Sequence, residues 1–187
     1  TAEQVQYILD NCGATMIFIE TPEHFRRVQS VWDQLPDLKT AIVFDPSIPA
    51  DKTTPEETRR VWAYEDFLEY GRNAVPAERD QLIERTKSIK PDDDATYVYT
   101  SGTTGPPKGV VQTHRNHLHT VSALNQLGLV GEGEICLLFL PLAHSFARSV
   151  EYMDIKAGTI TAFAESVEKV RDNLAEVKPH FLPSVPR

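Results

Sequence analysis

Apolar residues recur at helical spacing from the first residues of the chain. Val5, Ile8, Leu9 and Cys12 share one side of an amphipathic helix, with Thr1 in capping position and Gly13 just past its end. "TMIFIE" follows as a short apolar strand, "PEHFRRVQSVWDQLP" as a helix opened by Pro22 and stopped by Pro36, and "TAIVF" as a second strand. The strands are apolar throughout instead of at every second residue. Together with the helix–strand alternation, this predicts an α/β fold with a mostly parallel sheet and helices on both faces.

Residues 45–58 hold three prolines and no apolar period, so they are assigned to an exposed excursion without regular structure. "YEDFLEYGRN" and "PAERDQLIERTKSIK" read as two helices, the second opening at Pro76 with Leu82 and Ile83 on its apolar face. "ATYVYT" is the next strand. A glycine-rich stretch then leads into a helix over "RNHLHTVSALNQLGL", with Leu118, Val121, Leu124, Asn125 and Leu127 along one side. "EICLLFLP" is a buried strand, "SFARSVEYMDIKAG" a helix, "TITAFA" a strand and "VEKVRDNLAEVKP" a last helix. There is no internal repeat. The chain starts inside an element and stops at "SVPR" directly after a strand-like run, which reads as a piece of a longer protein.

The bulk numbers narrow the class. A length of 187 residues is enough for one domain with its own core. With 27 acidic and 19 basic residues the net charge is -8, which argues against a general nucleic-acid surface; an anionic ligand needs a locally positive site. Cys12 and Cys136 stand far apart, so neither a disulfide framework nor a zinc knuckle is indicated, and a reducing cytoplasm is the expected setting. The longest apolar run, "ICLLFLPLA", is too short to span a bilayer; this predicts no transmembrane segment and leaves room for peripheral membrane contact.

The chemistry concentrates in "YVYTSGTTGPPKGVVQTH", residues 97–114. Glycine-freed N–H groups, hydroxyls and an ammonium are the donors a polyphosphate uses. A Walker A loop is excluded, because Pro107 precedes Lys108 where that motif has glycine, and Gly109 follows where it has a hydroxyl. The dinucleotide fingerprint fails as well, since Gly102, Gly105 and Gly109 are spaced by three and four.

"YTSGTTGPPKG" resembles the phosphate-binding signature of the adenylate-forming superfamily, which includes acyl-CoA synthetases, luciferases and peptide-synthetase adenylation domains. Downstream, "LPLAH" with Phe146 and Arg148 is similar to the segment that places a histidine and an aromatic ring near the acyl substrate. The wording "FLPLAHSFAR", with "AEQVQYIL", "PDDDATYVYTSGTTG" and "FAESVEKVRDNLAEVKPHF", is most similar to the bacterial long-chain fatty acid:CoA ligase branch. The resemblance implies that residues 1–187 are a fragment of the AMP-binding, large N-terminal domain, without the small C-terminal domain. It also implies two steps: a fatty acid carboxylate attacks Mg-ATP to give acyl-adenylate and pyrophosphate, and coenzyme A then displaces AMP. On this chain, Thr100, Ser101, Gly102, Thr103, Thr104 and Gly105 would hold phosphate, and Lys108 would meet charge on the leaving pyrophosphate. His144 would sit beside the carboxylate, Phe146 would line the acyl path, and Arg148 would brace that wall. The branch usually has an acid where Ala147 stands, so the expected ion-pair partner of Arg148 is missing. The family's adenine, ribose and C-terminal lysine motifs are not found, so the chain alone is expected to be catalytically incomplete. Two rival readings are another adenylate-forming enzyme, such as an aryl-CoA ligase or a peptide-synthetase adenylation domain, and a non-catalytic module that keeps the loop.

Other conspicuous groups read as ordinary surface. His117 and His119 point apart on a helix, so His114, His117 and His119 make no metal site. Asp92, Asp93 and Asp94 read as a solvated turn. The pairs Arg26–Arg27 and Arg59–Arg60 are too small for a nucleic-acid or membrane patch.

Overall fold

The computed structural model describes residues 1–50, 59–100 and 105–185. Helix α1 (Ala2–Asn11) begins with a reciprocal cap: the Thr1 hydroxyl accepts from the Gln4 N–H while the Gln4 side chain answers the Thr1 backbone. Helix α2 (Pro22–Gln29) uses Thr21 as its cap and Pro22 at its first turn, where the missing N–H costs nothing. It ends earlier than its sequence suggests. A separate 3-10 turn, Trp32–Gln34, follows, and the buried Trp32 indole donates to the Leu38 carbonyl at 3.0 Å. Leaving that N–H unpaired would cost about 1–3 kcal/mol, so the indole pins the connection into the next strand.

Two compact units divide the chain. The first, Thr1–Ile89 with Tyr99–Gly109, holds strands β1 (Met16–Ile19), β2 (Thr40–Val43) and β3 (Arg60–Ala63) in one parallel sheet, with Met16 opposite Thr40 and Thr40 opposite Arg60. Strand β2 is central, and Ala41, Ile42 and Val43 are all buried, as a continuous apolar run requires. On β1 burial alternates: Ile19 is buried, whereas Met16 and Phe18 are exposed. Ile19, Val28, Trp32, Leu35, Leu38 and Val43 form the core, and Val5 and Leu9 of α1 pack against it.

Three sequence expectations change in this unit. Ile48 lies inside the proline-rich stretch assigned to an exposed excursion, yet it is buried and belongs to the core; residues 51–58 of that stretch lie outside the described residues. Strand β3 was not expected, because four residues after a proline-rich stretch give little pattern; pairing to β2 makes it a strand, and the Arg60 guanidinium stacks 3.4 Å from the Trp62 ring centre. The two helices around Pro76 are one, α3 (Tyr64–Ser88). Proline read as a helix start is here accommodated inside the helix, which buries no residue.

The second unit is Lys90–Val98 with Val110–Arg187. Helix α4 (His114–Gln126) is capped by Thr113 with Asn116 completing a capping box. Of its expected apolar side, Val121 is buried and Leu124 packs on the core, while Leu118 and Leu127 are exposed. Strand β6 (Ile135–Leu138) pairs in parallel with β7 (Ile160–Phe163), and Phe181 forms a bridge to Cys136. Helix α5 (Ser145–Ala157) ends at Gly158, whose φ of 76° lies in the left-handed region glycine tolerates. It buries Ala147, Val150 and Met153 against Cys136 and Leu138. Helix α6 (Val170–Val177) is shorter than expected. Strands β4 (Asp94–Thr100) and β5 (Lys108–Thr113) pair in a two-stranded sheet and contribute residues to both units.

Candidate functional site

Strand β4 delivers Thr100 at its last position, and β5 opens with Lys108, so the glycine-rich stretch is the connection between two paired strands. The sequence pattern places β5 within the loop, and pairing with β4 makes it a strand. Ser101, Gly102, Thr103 and Thr104 lie outside the described residues. Gly105 has a φ of 92°, a conformation that a side chain would strain. Thr100, Gly105 and Lys108 are exposed and belong to one unit. Among the described residues the Lys108 ammonium makes no hydrogen bond or ion pair.

Gly109, which in the sequence serves to exclude the Walker A loop and the dinucleotide fingerprint, has a steric role. A Cβ there would sit 3.1 Å from Cζ of Tyr99. The absent side chain lets the Tyr99 ring lie against the start of β5, where its hydroxyl donates to Asn11 Oδ1 at 2.7 Å. Nothing in the local pattern singled out Tyr99, because Asn11 is 88 residues away in the chain.

His144 and Phe146 lie in the other unit, at the entry to α5. His144 occupies the N-cap position with extended backbone and no side-chain cap bond, so its imidazole is not spent on the helix end. Its N–H donates to the Pro141 carbonyl at 2.9 Å, closing a tight turn over "PLAH", and its carbonyl accepts from the Arg148 N–H at 3.2 Å. His144 and Phe146 are exposed, Phe146 by 42%. Ala147 between Phe146 and Arg148 is fully buried, so an acid in its place would sit in the apolar core. The Arg148 guanidinium instead donates through Nε and Nη2 to the Leu142 carbonyl, at 3.3 and 3.1 Å.

Several other polar groups have structural partners. Arg115 grips Asp92 with two bonds of 2.6 and 2.8 Å and holds its carboxyl below the usual range. Asp93 accepts from the Lys90 N–H, and Asp94 from the Tyr97 hydroxyl. His117 shares a 2.9 Å hydrogen bond with Thr96 and meets Tyr152 edge to face; burial pushes its pKa down. Nothing in the sequence pattern marks Asp154 on α5. It is completely buried beside Cys136, and one oxygen accepts from Thr161 at 3.0 Å. Burial raises its pKa, and burial next to this carboxyl pushes the Cys136 thiol up to about 12. Both cysteines are free thiols.

Strands β1, β2 and β3 form one parallel sheet and β6 and β7 another, in an α/β scaffold. The chain matches the model of the AMP-binding enzyme family over residues 1–187, and it belongs to that family. It is 32% identical over 196 residues to the long-chain-fatty-acid–CoA ligase ACSBG2 of Xenopus laevis, covering 100% of this chain and 25% of that protein. Similarity to the long-chain-fatty-acid–CoA ligase FadD15 of Mycobacterium tuberculosis is 32% over 189 residues, again across 100% of this chain and 29% of the relative. The chain thus spans between a quarter and a third of the length of these curated relatives. The crystallised N-terminal domain of FACL13 from Mycobacterium tuberculosis shares the fold, with a TM-score of 0.57 and 21% identity over 96% of this chain and 39% of that one. No helix among the described residues is long and apolar enough to cross a membrane.

Proposed function

We propose that the chain is part of the large N-terminal domain of an AMP-forming long-chain fatty acid:CoA ligase. The observation that carries this reading is the ordered pair of motifs: the phosphate-type loop between β4 and β5, and the "PLAH" turn that presents His144 and Phe146 to solvent at the start of α5. The relatives named as long-chain ligases support the choice of acid.

In this reading Thr100, Ser101, Thr103 and Thr104, with the backbone at Gly102 and Gly105, hold the β- and γ-phosphates of ATP. Lys108 meets negative charge that grows on the departing pyrophosphate, so its contact strengthens in the transition state. ATP enters as its magnesium complex; none of these residues is assigned to the metal. His144 stands beside the fatty acid carboxylate and Phe146 lines the acyl path. Coenzyme A is the second acceptor, and its thiol takes the acyl group from the adenylate. The free thiols suit a reducing compartment, so the proposed setting is the cytoplasm, with peripheral membrane contact through the lipid substrate.

ATP–pyrophosphate exchange on the full-length parent, run with a panel of carboxylic acids, tests this. Exchange driven by long-chain fatty acids is expected. Exchange driven by aryl or amino acids would move the protein to another adenylate-forming activity, and exchange with none of them would favour a non-catalytic module.

A further inference from the structure

The resemblance assigns Arg148 to the wall of the acyl path, but its hydrogen bonds lead elsewhere. Both guanidinium contacts end on one atom, the Leu142 carbonyl oxygen, in the turn that leads to His144. The Leu142 side chain packs on the core with Val150 and Met153. The turn is closed from within by the His144 N–H on the Pro141 carbonyl. Leu142 is therefore held on its apolar side by the core and on its polar side by Arg148, two residues before the imidazole. Phe146 already sits in the first turn of α5 and needs no such clamp.

We infer that Arg148 is a positioning residue for His144: its guanidinium fixes the Leu142–His144 turn, and through it the place of the imidazole. This rests on the reading of His144 given above. A helix N-cap without a side-chain cap bond has one fewer restraint on its backbone, so an external brace on the carbonyl two residues earlier adds to the two backbone bonds of His144 and helps keep its side chain in one place. Arg148 supplies two donors from a planar, permanently charged group, and a lysine offers only a point charge there.

The role separates cleanly from a wall-bracing one. A brace on His144 slows activation of all chain lengths equally, whereas a brace on the acyl wall changes the preference among them. The test is a cycle of Arg148→Ala, Arg148→Lys, His144→Ala and the Arg148/His144 double variants in the full-length parent, reading single-turnover acyl-adenylate formation with short, medium and long fatty acids. Arg148→Ala is expected to slow the step on the order of 10- to 100-fold at every chain length, as a small misplacement of a reacting group does. Arg148→Lys falls between, and added guanidinium ion restores part of the rate of Arg148→Ala. In the His144→Ala background the same Arg148 changes cost less than about twofold, because the group they position is gone. If Arg148→Ala does not fold, Arg148→Lys in both backgrounds decides the question. Slowing that multiplies with His144→Ala, a shift in chain-length preference, or wild-type rates in the Arg148 variants would overturn the inference. Should His144→Ala itself leave the rate unchanged, the assignment of His144 fails instead.

Discussion

Asp154→Asn isolates the cost of a carboxylate placed in the core. Asp154 is 0% exposed; Thr161 donates to one carboxyl oxygen, and the other has no hydrogen-bond partner among the described residues. Burial outweighs the favourable contacts with Cys136 and Thr161, so the folded protein holds this proton to higher pH than the unfolded chain does. An unfolded aspartate ionises at about pH 3.9. Above that pH and up to the raised folded value, unfolding releases a proton, and stability falls by about 1.4 kcal/mol per pH unit. Below the unfolded value both states are protonated and no penalty remains; above the folded value the loss is complete and constant. Asparagine keeps an acceptor for Thr161 but has nothing to ionise. Asp154→Asn should therefore equal wild type near pH 4 and gain on it steadily as pH rises through the window. Asp154→Ala, which strands the Thr161 hydroxyl, should instead cost about 1–3 kcal/mol at low pH. Hydrogen exchange of β6 and α5 amides in the full-length parent, corrected for its intrinsic pH dependence, gives the local stability. Parallel pH profiles for wild type and Asp154→Asn would show that Asp154 carries no extra proton and that the burial argument is wrong.

In the full-length parent, and on the proposed role of Lys108, Lys108→Ala should slow acyl-adenylate formation by the equivalent of about 2.7–4 kcal/mol while leaving fatty acid affinity nearly unchanged; single-turnover rates beside equilibrium binding check this, and an unaltered rate refutes it. With its pKa near 12, roughly one Cys136 thiol in ten thousand is thiolate at pH 8, so mass spectrometry after brief alkylation should find Cys12 modified and Cys136 intact. Gly109→Ala puts a Cβ 3.1 Å from the Tyr99 ring, which the Asn11 hydrogen bond holds in place, so it should lower the melting temperature, and Tyr99→Ala should remove that effect when the two are combined. Equal melting of Gly109→Ala and wild type would mean the ring moves aside freely.

What the sequence determined by itself is whatever short-range physics encodes. Thr1, Thr21 and Thr113 cap their helices because a hydroxyl beside free N–H groups needs no distant partner, and Gly158 ends α5 for an equally local reason. The apolar runs at β1, β2, β6 and β7 are strands where the pattern put them. The glycine- and hydroxyl-rich composition before Lys108 is legible as a string, as is the start of α5 just after His144. Tertiary structure decided the rest. Arg60–Ala63 is a strand because β2 offers it a free edge, and Ile48 is buried because a core stands beside it. Pro76 lies inside one helix and not between two. The partner of Arg148 is the hardest to foresee: with Ala147 where the family usually has an acid, the sequence offers it no ion-pair partner, and the guanidinium takes a main-chain carbonyl, a group every residue carries and no composition can mark. Asp154 is the same lesson in charge, since only the packing of α5 on β6 and β7 turns an ordinary aspartate into a buried acid whose ionisation burial resists.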